Sequence, residues 1–544
     1  MEEDTGTASP GSTKRGCNLD APCSPKRVKL DMQSTIDANP HTSSTDTPRS
    51  GKEFQKRRDA AGYPKSRKGK EKDGKNTGRR RRDYPEAGAG ISDPDGREAL
   101  EKAPRLPKRQ SAILLGFCGS GCAGMQIQPD AKTIEGVLFD ALVRVGAVSS
   151  DNSNDPTKVS LGRAARTDAG VHAAGNLVSL KLITQISGVP DLVAAVNRLL
   201  PPEIRVWGIN RVQNSFNART SCDSRKYTYF FPSYLLIPPK PGSGLYTTSH
   251  CQAVPSSKRL SIDEIHSFWV ESPPDSSKED DLQRKRRWRT GPEAIQRLRE
   301  IAQKFEGTHN FHNFTVGREF SDRSTQRHMK KIEISDAVVY GSTEWINVMF
   351  HGQSFMLHQR KMVSALVLSC RTGTPPQIIE ELYGPRQVFI PKMPALGLLL
   401  EYPIFESYNR KIASVNEGLS AEDAEFRPPV DFDIHHSKIE EFKQTYIYDK
   451  MREAEDRKAV FDAWMRSTDA YSGDDLLYFN PKGVIPTAAV VKRSERRKNP
   501  FREKRRFDVT DFPDNSKVEA DEADNDGDEQ DVVLDKAQLV DMEG

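Results

Sequence analysis

The chain has 544 residues, of which 35% are hydrophobic and 29% charged, too few apolar side chains for all of it to pack into a core. No apolar run reaches the roughly 20 residues of a membrane-spanning helix, and the opening "MEEDTGTASPGST" has no apolar secretory segment, so a soluble intracellular protein is expected, with no membrane partner. The formal net charge of +4 hides opposed blocks: basic clusters such as "QKRRDA", "PKSRKGKEK" and "RRRR" near the start, and a tail dominated by Asp and Glu. Basic clusters on an unfolded arm neutralise phosphates by releasing counterions, which suggests a polyanionic partner. Seven cysteines without regular spacing suit a reducing compartment, and no disulfides are expected.

Residues 1 to 105 lack apolar periodicity and are expected to be a disordered basic arm. Within it "PKRVKLD", residues 25 to 31, resembles a monopartite nuclear import signal, which implies a nuclear import receptor and nuclear localisation. Order begins at "SAILLGFCG", an apolar run that reads as a strand, and "TIEGVLFDALVRVGAV" repeats its apolar residues at helical spacing. "VSLGRAARTD" reads as a strand reaching the glycine at 170, followed by "NLVSLKL" as a strand, "DLVAAVNRLLP" as a helix and "EIRVWGINRV" as a strand. "RKYTYFF" alternates with period two and closes a first half spanning 106 to 235.

Residues 236 to 292 are hydrophilic and proline-rich and read as a surface insertion. A second half, 293 to 410, opens with a helix that can start at Pro292. It continues with the loop "EGTHNFHNFT", strands in "HMKKIEISDAVVY" and "EWINVMFHG", helices in "MLHQRKMVSALVLSC" and "PPQIIEELYG", and a last strand in "LGLLLEYPI". The fold expected is α+β, a largely antiparallel mixed sheet flanked by helices, in two similar halves around a cleft. A helical extension is expected over 411 to 470 and a disordered basic, then acidic, tail over 471 to 544.

The chemistry concentrates in "GRAARTDAGVHAAGN", residues 162 to 176. On a strand, Arg166 and Asp168 project from one face, and Gly170 permits a sharp turn. An aspartate beside an arginine stays ionised and suits a nucleophile or base acting on electrophilic carbon. The competing reading is a surface ion pair beside a turn. Cys118 and Cys122, and likewise His309 and His312, have spacings that metal sites use, but no second ligand pair accompanies them and buried or loop roles are expected. "EADNDGDEQDVV" imitates a calcium loop and fails at Val533, where a glutamate is required.

That stretch resembles the catalytic signature of the TruA family of tRNA pseudouridine synthases. The resemblance extends to "GMQ" at 124 to 126, "RKYTYFF" at 225 to 231, "HNFHNFT" at 309 to 315, "GQSFMLHQ" at 352 to 359 and "ALGLLLE" at 395 to 401, in the family's order, and the eukaryotic nuclear, fungal-type branch fits best. It implies a pseudouridine synthase fold with a central RNA-binding cleft, and isomerisation of uridine in tRNA with no redox or nucleotide cofactor. It further implies Asp168 as the essential aspartate, Arg166 as the side chain that replaces the flipped base and pairs with the aspartate, and Tyr227 as the ring packed on the uracil. His172 is a candidate contact to the RNA backbone, and Arg225 and Lys226 are candidates for phosphates. Small nuclear RNA and messenger RNA are implied as further substrates. Zinc is raised by the resemblance but lacks a clear ligand set, and the long insertions favour a monomer.

The chain departs from the family at Cys122, where a tyrosine is usual, at Ser364, where a glycine is common, and in "HQRKM", which is one residue short. A missing helical residue displaces Arg360, the family's second active-site arginine, by about 100°. Either the helix starts at a shifted position, or a codon has been lost, or Arg360 has another task. The last alternative leads to a competing function, a catalytically weakened RNA-binding or RNA-chaperone protein on the same fold.

Overall fold

A computed structural model describes residues 106–250, 265–273, 276–492 and 495. The basic arm with "PKRVKLD", most of the basic block after 492 and the acidic calcium-loop mimic lie outside the described residues.

Ten strands form one sheet: β1 (Lys108–Phe117), β2 (Gly162–Arg163), β3 (His172–Ile183), β4 (Ile204–Arg211), β5 (Ser224–Pro232), β6 (Gly307–Asn310), β7 (Gln326–Ile334), β8 (Val338–Tyr340), β9 (Thr343–Gly352) and β10 (Leu398–Ile404). The order is β4-β1-β3-β10-β5-β9-β7-β6, with β2 beside β3 and β8 beside β9. Pairing is antiparallel except between β3 and β10, where Leu399 lies opposite His172. The last strand in sequence thus sits mid-sheet and joins the halves, setting Tyr227 opposite Leu400 on one side and Ala173 opposite Leu400 on the other. β3 is buried on both faces except at Lys181, which explains its nearly continuous apolar run.

Helices cover both faces. In the first half, α1 (Ile134–Arg144) and α2 (Leu192–Leu199) pack on β1, β3 and β4; the Thr133 hydroxyl caps α1 by accepting from the Gly136 N–H. The segment 236–292 contributes α3 (Gly244–His250), α4 (Ser267–Val270) and α5 (Lys278–Arg287). In the second half, α6 (Pro292–Gln303) does start at its proline, and α7 (Lys361–Arg371) is buried all round, the signature of a central helix. After α8 (Ile378–Glu381) and β10, the helices α9 (Glu406–Val415) and α10 (His436–Phe442) cover Trp207 on the other sheet face. A π-helical turn, Lys443–Tyr448, leads into α11 (Asp449–Lys458) and α12 (Val460–Ala470).

Four sequence expectations need correction. The segment 236–292 is not a mere surface insertion: Phe268 and Trp269 are buried, Lys285 pairs with Asp462 at 2.7 Å, and Arg286 donates to the carbonyls of Glu455 and Asp456. Its hydrophilic composition misleads because these charges are buried with partners. Residues 471 to 490, assigned to the tail, place Tyr478, Phe479 and Ala489 in the core. The strand expected through "VSLGRAARTD" is only two residues long, and "EGTHNFHNFT" contains the short β6.

Candidate active site

The chain leaves β2 at Arg163 and runs irregularly to Asp168, pinned at each step. Ala164 N–H donates to the Leu177 carbonyl, buried Asn176 bonds both the N–H and the carbonyl of Ala165, and Met125 N–H donates to the Thr167 carbonyl. Gly124 permits that last approach: it has φ of 90°, and a Cβ on it would stand 2.8 Å from the Thr167 oxygen. Asp168 opens a turn closed by Val171 N–H, with Gly170 at φ of 75°, as its sequence position demands. Arg166 and Asp168 therefore share a cleft because backbone bonds bend the loop, not because a strand alternates them.

The facing wall is the start of α7. Residues 357–360 form a tight turn in which His358 adopts φ of 58°, left-handed for a residue other than glycine. The turn delivers Arg360 as the residue just before α7, its Nη1 3.9 Å from Asp168 Oδ2 and its side chain 1% exposed. Arg360 thus stands before the helix and not on it, within reach of Asp168. His358 Nδ1 lies 3.3 Å from the same oxygen. Burial pushes the Asp168 carboxyl up, but the His358 ring, Arg360 and Lys392 outweigh it and hold the group below the usual carboxylate range. Asp168 is an anion at neutral pH. His358 was not singled out from sequence; its signal was its place in "GQSFMLHQ", which gave no hint of what it would face.

Between the walls lies a cleft of about 770 Å³ lined by Arg166, Tyr227, Arg225, Phe355 and Leu398 among others. Tyr227 projects into it from β5 and packs edge-on against Phe355, ring centres 4.7 Å apart. Burial raises its hydroxyl to about 12, so it stays protonated. Arg166 lines the cleft, and its charge acts on Glu135, which is buried and paired with Arg163.

Arg225, Lys226 and His172 are not placed as expected. Arg225 is 3% exposed and its guanidinium donates to the Ala164 and Gln353 carbonyls, so it braces the Asp168 loop and does not reach phosphates. Lys226 points to the Tyr402 hydroxyl and ring. His172 is 1% exposed, and its Nδ1 accepts from Gly119 N–H, so it has no surface to offer RNA; burial pushes its pKa down to about 4. Tyr229 is a core residue whose hydroxyl donates to the Pro394 carbonyl. Cys118 and Cys122 are buried, His309 stacks on Tyr383, and no group of three or more metal-ligating side chains occurs among the described residues.

Comparison with known proteins decides the family. A family model described as tRNA pseudouridine synthase matches residues 301–406. tRNA pseudouridine synthase 1 of Candida glabrata is 39% identical over 417 residues, 70% of this chain and 74% of that protein. The chain belongs to the tRNA pseudouridine synthases. tRNA pseudouridine synthase 1 of Schizosaccharomyces pombe is 36% identical over 490 residues, 72% of this synthase and 90% of the relative. The tRNA pseudouridine(27/28) synthase of Saccharomyces cerevisiae is 40% identical over 378 residues, 65% of this synthase and 97% of the relative. These synthases are isomerases that convert uridine to pseudouridine in tRNA, and the family needs no cofactor.

Proposed function

We propose that Asp168 acts on the target uridine of tRNA, that Tyr227 packs on the uracil, that Arg166 takes the place of the flipped base, and that Arg360 holds the aspartate ionised. The observation that carries this reading is the Asp168 carboxylate, 28% exposed in the cleft, with the Arg360 guanidinium 3.9 Å away. A cofactor-free isomerisation needs one group to begin glycosidic cleavage, and an anionic carboxylate in an open cleft supplies it. The competing RNA-binding reading supposed a displaced Arg360, and the 3.9 Å approach of Arg360 to Asp168 favours the enzymatic one. The test is release of tritium from C5 of uridine in unmodified tRNA, without added nucleotide or metal. Wild-type protein releases it, including after chelator treatment, which makes zinc dispensable; Asp168→Ala folds, binds tRNA and releases none. Activity of that variant would remove Asp168 from the reaction.

The same protein acts as a monomer in the nucleus, on this reading, carried by an import receptor that binds residues 25 to 31. Small nuclear RNA and messenger RNA are proposed as further substrates. Loss of nuclear accumulation on replacing Lys26, Arg27 and Lys29 by alanine tests the first proposal. Pseudouridine maps of all three RNA classes, from cells with and without the protein, test the second.

A further inference from the structure

We infer that His358 is a positioning residue for Asp168: its Nδ1–H holds Oδ2 of the carboxylate in the orientation from which it meets the uridine. The inference rests on the reading of Asp168 above. Nδ1 of His358 lies 3.3 Å from Asp168 Oδ2 and is buried, and among the described residues it makes no aligned hydrogen bond, so the carboxylate is the acceptor within its reach. Bonds of this kind are often long before substrate arrives and tighten in the complex. Burial lowers the imidazole pKa against the opposing pull of the Asp168 carboxylate, leaving a neutral ring with one N–H. A neutral donor orients the carboxylate without neutralising its charge as a second full cation would.

The backbone supports the same conclusion. Left-handed conformation at a residue with a side chain is uncommon and strained. Here it sits at His358, in the turn that brings both the ring and Arg360 onto one oxygen of Asp168. Strain held at such a position is expected where the surrounding structure uses the geometry. The charged groups acting on the pair are Arg360 beside α7 and Lys392 before β10, with Arg166 lining the cleft from the Asp168 loop and Arg225 and Tyr227 from β5.

Two substitutions separate the ring's donor from its backbone. His358→Gly accepts the left-handed conformation freely and removes the donor. His358→Asn also tolerates that conformation, and its amide N–H₂ occupies the place of Nδ1–H. In tritium release from tRNA, His358→Gly is expected to lower kcat roughly 10- to 100-fold, the worth of one hydrogen bond to a charged group. KM for tRNA and the melting temperature stay unchanged. The acid limb of its kcat profile moves to higher pH, because Asp168 loses a donor that favours its anion while Arg360 and Lys392 remain. His358→Asn restores most of kcat and moves the limb back. Wild-type kcat in the glycine variant, or an asparagine variant as slow as the glycine one, overturns the inference. Asp168→Ala, assayed alongside, reports separately on the reading beneath it: activity there removes Asp168 itself, whatever the His358 variants do.

Discussion

The two walls of the cleft are built by different means. The Asp168 wall is a loop fixed through its backbone: Leu177, Asn176 and Met125 each bond a main-chain group between Ala164 and Thr167. The facing wall is fixed by helix phase: α7 is buried all round, and the turn before it aims Arg360 and His358 at one oxygen. The carboxylate's position therefore follows from local bonds, and the cations' positions follow from how a whole helix is seated. The second wall turns on a left-handed residue that carries a side chain, His358, whereas the first has a glycine, Gly124, where no side chain fits.

Breaking the helix-phase wall is expected to have the largest effect. Arg360→Met removes the guanidinium but keeps a long apolar stem in the buried site. kcat for pseudouridine formation should fall about 100-fold, in line with loss of a charge that supports the reacting anion. The acid limb of the pH–rate profile should move up, because Asp168 is held low in part by Arg360. An unchanged limb would show that the guanidinium does not act on Asp168.

The backbone wall breaks at Asn176. Asn176→Ala leaves the Ala165 N–H and carbonyl without their buried partner and should cost about 2–3 kcal/mol, read from denaturant unfolding. kcat should fall more than KM rises, because the loop loosens while the RNA surface stays. Loss of stability with full activity would mean that the loop does not need this anchor.

His172 tests whether the first wall touches RNA at all. Its pKa of about 4, below the ordinary 6.5, means that the unfolded chain binds this proton more readily than the native one. Stability from the neutral ring is present above pH 6.5 and is lost as pH falls from 6.5 toward 4, by about 2 kcal/mol at pH 5. His172→Gln should flatten that part of the stability profile and leave KM for tRNA unchanged; a raised KM would return His172 to the RNA surface. The smallest effect is expected at Lys361, whose buried ammonium donates to the Thr315 carbonyl and whose pKa burial lowers to about 7. Lys361→Met exchanges a desolvated charge for apolar packing and should change unfolding free energy by less than about 1 kcal/mol. A larger loss would show that this bond pins the 309–315 loop to the second wall.

Much of this molecule could be read before its structure. Strands and helices whose apolar residues repeat with period two or 3.6 were placed from "RKYTYFF" or "PEAIQRLREIAQKF", because periodicity reports which face is buried. Gly170 was legible for a local reason, since a turn needs its glycine whatever surrounds it, while Asp168 stood out from a charged turn only through the family resemblance. The failures share a different cause. Arg225, Lys285 and Arg286 look like surface charge in sequence and are buried, since only distant carbonyls and carboxylates, at Ala164, Glu455 and Asp462, make their burial affordable.

By itself, then, the sequence determined the α+β class, the elements with clean periodicity, and the family through an ordered set of short motifs. Tertiary structure alone decided that β10 joins the halves, that residues 471 to 490 belong to the core, and that His172 is buried while His358 faces Asp168. It also decided the fate of Arg360. Residue spacing predicts helix phase only once the helix start is known, and that start is set by a left-handed turn whose strain the packing of α7 sustains.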